Sequence, residues 1–296
     1  MSNPTAGTYT AIVTPFTKGG RFDEKTFGKL VEHQIKNGID GLVPVGTTGE
    51  SPTLSHAEHV RVIEVAVKAA KGRCHVMGGT GSNSTDEAIS LTRRAEKVGA
   101  DSCLLVAPYY NKPTQEGLYQ HFQAIAKATK LPLVLYSIPG RCGIEIGVET
   151  MRRLHADCRN IVGIKEAGGT PERVSQLRLA CGDSLLILSG DDSMTLPFLA
   201  VGAQGVISVA TNIIPKQVST MVRCYNSGKV DEAQALHLRY YQLFKDLFVE
   251  TNPIPVKAAM AMLGMIEEEY RLPLCRIGNK NREVLRSAME KSGILK

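Results

Sequence analysis

Residues 161–169 read Ile-Val-Gly-Ile-Lys-Glu-Ala-Gly-Gly. An apolar run with one small glycine enters Lys165 without a polar break, and two glycines close the stretch. Such a run reads as a strand buried on both faces, the habit of a parallel sheet, and the glycines mark its end. A lysine in that place has two readings. It can snorkel, its head in solvent at the strand end. Or its amine can sit in an apolar pocket. In water, with a pKa of about 10.4, roughly one amine in a thousand or fewer is an uncharged nucleophile at neutral pH. Burial can lower that pKa by several units, the condition a Schiff-base lysine needs. The stretch alone leaves both readings open.

Working outward, seven more apolar runs of strand length occur, at 10–13, 41–45, 75–79, 102–106, 133–136, 185–189 and 205–209. Their starts are about 20 to 35 residues apart, room for one strand and one helix per repeat. The intervals carry helical spacing. Residues 23–37 place Phe27, Leu30, Val31 and Ile35 three and four apart, with Asp23 as a cap and Asn37-Gly38 as a stop. Residues 55–70 and 85–98 follow suit, each opening on a Ser or Thr. Residues 115–129, 148–155, 171–180 and 194–201 continue the alternation. This predicts an α/β fold, a (β/α)8 TIM barrel, over residues 1–228. A doubly wound open sheet is the alternative, but its glycine-rich nucleotide loop is missing: Gly79-Thr80-Gly81-Ser82-Asn83-Ser84 lacks the third glycine. Past Gly228 the pattern turns wholly helical, with helices expected over 229–250, 256–263 and 281–292. Residues 229–296 are therefore expected to form a helical C-terminal domain beside the barrel.

The chain has 296 residues, 43% of them hydrophobic, and a net charge of +6. No Lys/Arg block stands out, so the charge pattern points to neither nucleic acid nor a membrane surface, and mildly favours anionic small molecules. No apolar run approaches membrane-spanning length, and the N-terminus has no signal-peptide pattern. Seven widely spaced cysteines, without a C-x-x-C, fit reduced thiols in a cytosolic protein.

In a barrel the site is built at the C-terminal strand ends. There the sequence places Gly46-Thr47-Thr48-Gly49-Glu50-Ser51, Tyr109-Tyr110-Asn111-Lys112-Pro113, Tyr136-Ser137-Ile138-Pro139-Gly140-Arg141, Lys165, Ser189-Gly190-Asp191-Asp192 and Ile207-Ser208. No acid or histidine cluster has metal-ligand spacing, and Asp191-Asp192 reads as a loop bracket. An amine with phenols and hydroxyls suits carbonyl chemistry through an imine. Tyr136, one strand from Lys165, is either a proton carrier or a core aromatic. The 46–49 loop is either a plain turn or a carboxylate cradle.

Those same stretches, with Gly-Ile-Lys-Glu-Ala at 163–167, Gly-Val-Ile-Ser at 205–208 and Asn-Pro-Ile-Pro-Val-Lys at 252–257, resemble the dihydrodipicolinate synthase / N-acetylneuraminate lyase family, in its order and over nearly the whole chain. The resemblance implies that Lys165 forms a Schiff base with pyruvate, that Tyr136, Thr47 and Tyr110 form a proton relay, and that Thr48 holds the pyruvate carboxylate. It implies that the Ile207 carbonyl lies near the lysine and that Gly190 lines the pocket. Arg141 matches the synthase branch, where it binds the carboxylate of L-aspartate 4-semialdehyde on the diaminopimelate route to lysine. The 2-keto-3-deoxy sugar-acid aldolases and N-acetylneuraminate lyases share Lys165 and Tyr136 but generally lack the arginine. No cofactor is implied. The tyrosine matching Tyr110 reaches a neighbouring subunit's site, which implies a homodimer and typically a tetramer. Two positions near Arg141 depart from the family's pattern: Ser137 stands where asparagine is common and Cys142 where threonine is common.

His56 and His59 are three apart on one expected helix face, which by spacing alone reads as a solvated face. In lysine-inhibited members the matching residues are Ser51, His56, His59, Asn83, Glu87 and Tyr109, which implies an L-lysine effector; Pro52 stands where alanine often sits. Tyr109 and Tyr110, if extended, point opposite ways, one to the effector and one to the relay. A silent regulator on the same scaffold is the rival from another class, and the complete set of Lys165, Tyr136, Thr47 and Tyr110 argues against it.

Overall fold

In the computed structural model, which describes residues 3–295, eight parallel strands close into a barrel in sequence order. They are β1 (Gly7–Ala11), β2 (Gly41–Val43), β3 (His75–Gly79), β4 (Ser102–Val106), β5 (Leu133–Ser137), β6 (Ile161–Glu166), β7 (Leu186–Ser189) and β8 (Gly205–Ser208). β8 pairs back to β1, Tyr9 opposite Ile207. Residues 1, 2 and 296, the outer ends of the two expected domains and the start of the N-terminal segment, lie outside the described residues. No described helix is long and apolar enough to cross a membrane.

The barrel's helices are α1 (Glu24–Lys36), α2 (His56–Ala70), α3 (Thr85–Lys97), α4 (Gln115–Lys127), a short α5 (Pro139–Cys142), α6 (Val148–Asp157), α7 (Pro171–Cys181), α8 (Thr195–Ala200) and α9 (Pro215–Asn226). Asp23 caps α1 by accepting from the Thr26 amide at 3.0 Å. Ser55 and Glu58 form a reciprocal capping box on α2. The cap of α3 is Ser84, one residue before the expected opening. Beyond the barrel, α10 (Val230–Asp246) packs on α9, and α11 (Ile254–Met262) and α12 (Asn279–Lys291) pack on each other.

Several boundaries differ from expectation. The second strand stops at Val43, because Pro44 has no amide to donate and Val45 turns to a φ of 54°. The first begins at Gly7, since its pairing with β8 starts there. No helix was expected between Val209 and Gly228, yet α9 fills that gap as the eighth barrel helix. Pro at its first turn and Val218, Met221, Val222 and Tyr225 at helical spacing are its signal. The 229–250 helix ends at Asp246, and α11 begins two residues early because Pro255 fits its first turn.

Side chains alternate across each strand. Tyr9, Ala11, Val134, Tyr136, Leu186, Leu188 and Ile207 fill the barrel interior as one buried cluster. The outward set, among them Leu42, Leu105, Leu135, Ile164 and Ile187, packs under the helices. Each fully buried aliphatic side chain contributes about 1.5–3 kcal/mol.

Candidate active site

β5 and β6 lie in register with Tyr136 opposite Lys165. Neighbours in parallel register project to the same face, so both side chains enter the barrel interior. The Lys165 amine lies 4.2 Å from the centre of the Tyr136 ring. Each residue is 6% exposed. Burial pulls the Lys165 pKa down to about 7; the Asp192 carboxylate opposes this and the Arg141 guanidinium adds to it. Burial pushes the Tyr136 phenol above its ordinary value, so it stays protonated at neutral pH. Of the two readings of Lys165, the apolar pocket is the one found. Its neighbour Glu166 points the other way, to Arg173 at 3.4 Å and the Gly168 amide at 2.6 Å.

A small cavity of about 50 Å³ opens over Lys165, walled by Thr47, Thr48, Tyr136, Arg141, Gly190 and Asn252. Thr47 starts a 3-10 turn, Thr47–Gly49, that ends on Glu50 at a φ of 54°. Gly190 is small by necessity, since a Cβ there would stand 3.0 Å from Lys165 Cε and 2.7 Å from Ala167 Cβ. Arg141 rises on α5 and donates from Nη2 to the Asn252 carbonyl at 3.2 Å. Ile207 sits in the interior layer but not in the cavity wall. Ser137 accepts the Ile146 amide at 3.3 Å, and the Cys142 thiol donates to the Ala107 carbonyl at 3.2 Å.

Asp191 and Asp192 behave as the expected loop bracket. Asp191 accepts the Ser193 amide and hydroxyl at 2.8 Å. Asp192, fully buried, accepts the Ser208 hydroxyl and the Val209 and Ala210 amides, while burial raises its pKa to about 6. Among the described residues no three His, Cys, Asp or Glu side chains gather as a metal site.

A larger cavity of about 400 Å³ adjoins the first, sharing Thr47, Tyr136, Ile138 and Arg141 with it. Its far side holds Ser51, His56, His59, Glu87 and Tyr109. His56 Nε2 lies 2.5 Å from Glu87 Oε1, and Ser82 donates to the other Glu87 oxygen. His59 is buried and donates from Nε2 to the Gly79 carbonyl at 2.7 Å, so the pair is not a plain solvated face. Asn83 stands behind, its amide on the Tyr109 carbonyl at 3.2 Å.

The expectation that Tyr109 and Tyr110 are extended is corrected by the backbone. Tyr110 has a φ of 71°, so the chain bends there. Tyr109 turns into the large cavity, while Tyr110 is 91% exposed and walls neither cavity of its own chain. The structure therefore gathers Lys165, Tyr136, Thr47, Thr48, Arg141 and Gly190, and leaves Tyr110 apart.

Two contributors from the C-terminal region, one in the turn before α11 and one on α11, carried no sequence signal as site residues. Asn252 donates from Nδ2 to the Thr48 hydroxyl at 3.0 Å. Lys257, wholly buried, binds Glu50 Oε1 at 2.5 Å and the Thr14 carbonyl at 3.2 Å.

Comparison with known proteins places this arrangement. Residues 4–292 match the model of the dihydrodipicolinate synthetase family. The chain belongs to that family. A 4-hydroxy-tetrahydrodipicolinate synthase of Thermodesulfovibrio yellowstonii is 52% identical over 290 residues, covering 98% of this chain and 99% of that protein. Among solved structures of the family, the 4-hydroxy-tetrahydrodipicolinate synthase of Methylacidiphilum fumariolicum SolV is 54% identical at a TM-score of 0.97, covering 98% of this chain and 96% of that one. The synthase of Cyanidioschyzon merolae, solved with lysine bound, is 43% identical at a TM-score of 0.96, covering 99% and 100%.

Proposed function

We propose that this protein is a 4-hydroxy-tetrahydrodipicolinate synthase, condensing pyruvate with L-aspartate 4-semialdehyde at the entry to lysine biosynthesis. The observation that carries the reading is the Tyr136–Lys165 pair: a buried amine with a pKa of about 7 against a protonated phenol. At neutral pH on the order of half the amines are nucleophilic.

Neutral Lys165 attacks C2 of pyruvate, and loss of water gives the protonated imine. The cation draws electrons from C3, which loses a proton and attacks the aldehyde carbon of the semialdehyde. Tyr136 and Thr47 are suited to carry these protons. Thr48 and the amides of the 46–49 loop suit the pyruvate carboxylate. Arg141, a planar fixed charge at the mouth, suits the carboxylate of the second substrate. The amino group of the new chain then attacks the imine carbon, closes the ring and frees Lys165. Arg141 in the cavity wall favours this activity over cleavage of keto-deoxy sugar acids.

Two finer readings belong with it. Tyr110, exposed on its own chain, would complete the relay in a neighbouring subunit of a homo-oligomer, a dimer or a tetramer built as a dimer of dimers. The Glu87, His56 and Tyr109 side of the large cavity suits the ammonium and carboxylate of free L-lysine as effector. Seven unpaired cysteines suit a cytoplasmic location.

The test is a rate assay with pyruvate and aspartate semialdehyde, coupled to the next reductase and read as nicotinamide oxidation. Turnover that vanishes in Lys165→Ala is expected. Protein that traps pyruvate on Lys165 with borohydride but does not turn over would have the imine chemistry and a different aldehyde.

A further inference from the structure

Tyr136 and Lys165 face each other near the end of the β5–β6 ladder. The register shifts at Leu133/Val134, just before the pair. Both strands end one residue after it, at Ser137 and Glu166. A slip of one residue turns a side chain to the opposite face. An irregularity on one side and a strand end on the other leave this register in need of a hold.

The outer face supplies one. Ser137 and Glu166 are opposite each other and point away from the barrel interior, and neither has solvent exposure. Glu166 Oε2 accepts from Arg173 Nε at 3.4 Å. Arg173 Nη2 donates to the Ile146 carbonyl, and the Ile146 amide donates to the Ser137 hydroxyl at 3.3 Å. A continuous chain of polar contacts therefore runs from one strand end to the other through Ile146 and Arg173. Glu145 stands on the solvent side of the same guanidinium, at 3.7 Å.

This chain breaks two local rules. Arg173 is a cation in the first turn of α7, where the helix dipole disfavours positive charge. It also forms a buried ion pair, whose desolvation makes it a poor source of stability. Breaches of this kind gather at functional sites. Yet Ser137, Ile146, Glu166 and Arg173 wall neither cavity. Their route to the chemistry is through Tyr136 and Lys165, the residues just before Ser137 and Glu166.

We infer that Ser137, Arg173 and Glu166 are positioning residues. Linked through Ile146, they bracket the two strand ends from outside and hold the Tyr136 phenol against the Lys165 amine. This rests on the imine reading of that pair and not on which aldehyde follows.

The test reads imine formation on the whole enzyme by borohydride trapping of pyruvate: its rate at short mixing times, and separately its final extent. A misplaced phenol slows the rate, whereas unfolded protein lowers the extent. Arg173→Met is expected to form the imine about 10-fold or more slowly, part of what a positioned acid–base group contributes, and still to reach the full extent. Ser137→Ala removes the acceptor of the Ile146 amide and should slow the rate about threefold. The two together should match Arg173→Met alone to within about twofold, because both cut one chain. Adding Glu166→Gln to Arg173→Met removes the stranded charge and should raise the melting temperature while the rate stays low. Rates within about twofold of the wild type in both single variants overturn the inference. So does a rate that recovers together with the melting temperature, or losses that multiply when Ser137→Ala and Arg173→Met are combined. Should Arg173→Met fail to fold, Ser137→Ala and the neutral Glu166→Gln, Arg173→Met double variant decide alone. Failure of the synthase reading looks different: the wild type traps pyruvate but does not consume aspartate semialdehyde, and the rate ratios still decide. A wild type that traps no pyruvate overturns both.

Discussion

Lys257 Nζ lies 2.5 Å from Glu50 Oε1, and neither side chain has any solvent exposure. The two are 207 residues apart in the chain. The second Glu50 oxygen accepts the Arg271 amide at 3.2 Å, and Lys257 lies 4.4 Å from the centre of the Phe16 ring. Glu50 ends the turn that presents Thr47 and Thr48, so a C-terminal helix pins the loop read as the carboxylate cradle.

Breaking that pair from one side strands a buried charge. Lys257→Met should lower stability by about 3–5 kcal/mol, read from urea unfolding. Converting Glu50→Gln in the same protein removes the stranded charge and should recover most of the loss. Equal losses in the single and double variants would show that packing, not charge, is at stake.

The amine of Lys165 sets an acid limb. Only its neutral form attacks pyruvate, so borohydride trapping should rise with pH through a midpoint of about 7. The Asp192 charge holds the proton on, so Asp192→Asn should move the midpoint down. The Arg141 charge drives it off, so Arg141→Met should move it up. Shifts of opposite sign to these would remove the electrostatic account.

Most of the barrel was legible because buried strands leave runs of apolar residues and their helices repeat every three or four. Lys165 and Tyr136 stood out for a related reason: polar groups at the ends of such runs need a purpose. Asn252 and Lys257 were not legible as site residues, since their partners Thr48 and Glu50 lie more than two hundred positions away and only closure of the fold joins them. The bend at Tyr110 was hidden too. Tyrosine rarely takes a positive φ, and nothing in Tyr-Tyr-Asn-Lys-Pro announces it. Helix α9 left a signal, but Ser, Thr and Cys among its apolar positions blurred it.

Acid stability should depend on Glu58. Hydrogen bonds from Arg271 hold its carboxyl at about 2, against an ordinary value of 4.5. A lowered folded-state pKa gives stability that is complete above about 4.5 and lost as pH falls toward 2. Urea midpoints of the wild type should therefore drop between pH 5 and 3, and Arg271→Met should show a smaller drop. Parallel declines in both proteins would assign acid sensitivity to other carboxylates.

Effector binding should depend on Glu87, which faces the large cavity between His56 and Ser82. Lysine at millimolar concentration should slow the wild-type rate. Glu87→Ala should raise the half-inhibitory concentration by about 10-fold or more, because the ammonium loses a charge-assisted bond. A flat lysine titration of the wild type would remove the effector reading.

Tyr110 gives the sharpest test of assembly. It is 91% exposed, walls neither cavity of its own chain, and holds a left-handed backbone costly for a tyrosine. A phenol so placed serves a neighbour or nothing. Lys165→Ala and Tyr110→Phe should each be nearly inactive alone. In a mixed dimer, the Tyr110→Phe chain keeps its own Lys165 and would receive Tyr110 from the Lys165→Ala chain, so one site of two is whole. Random mixing makes half the dimers mixed, so dissociated and reassembled chains should recover about a quarter of wild-type activity. If Tyr110 served its own chain, no mixed dimer would hold a complete site and mixing would restore nothing.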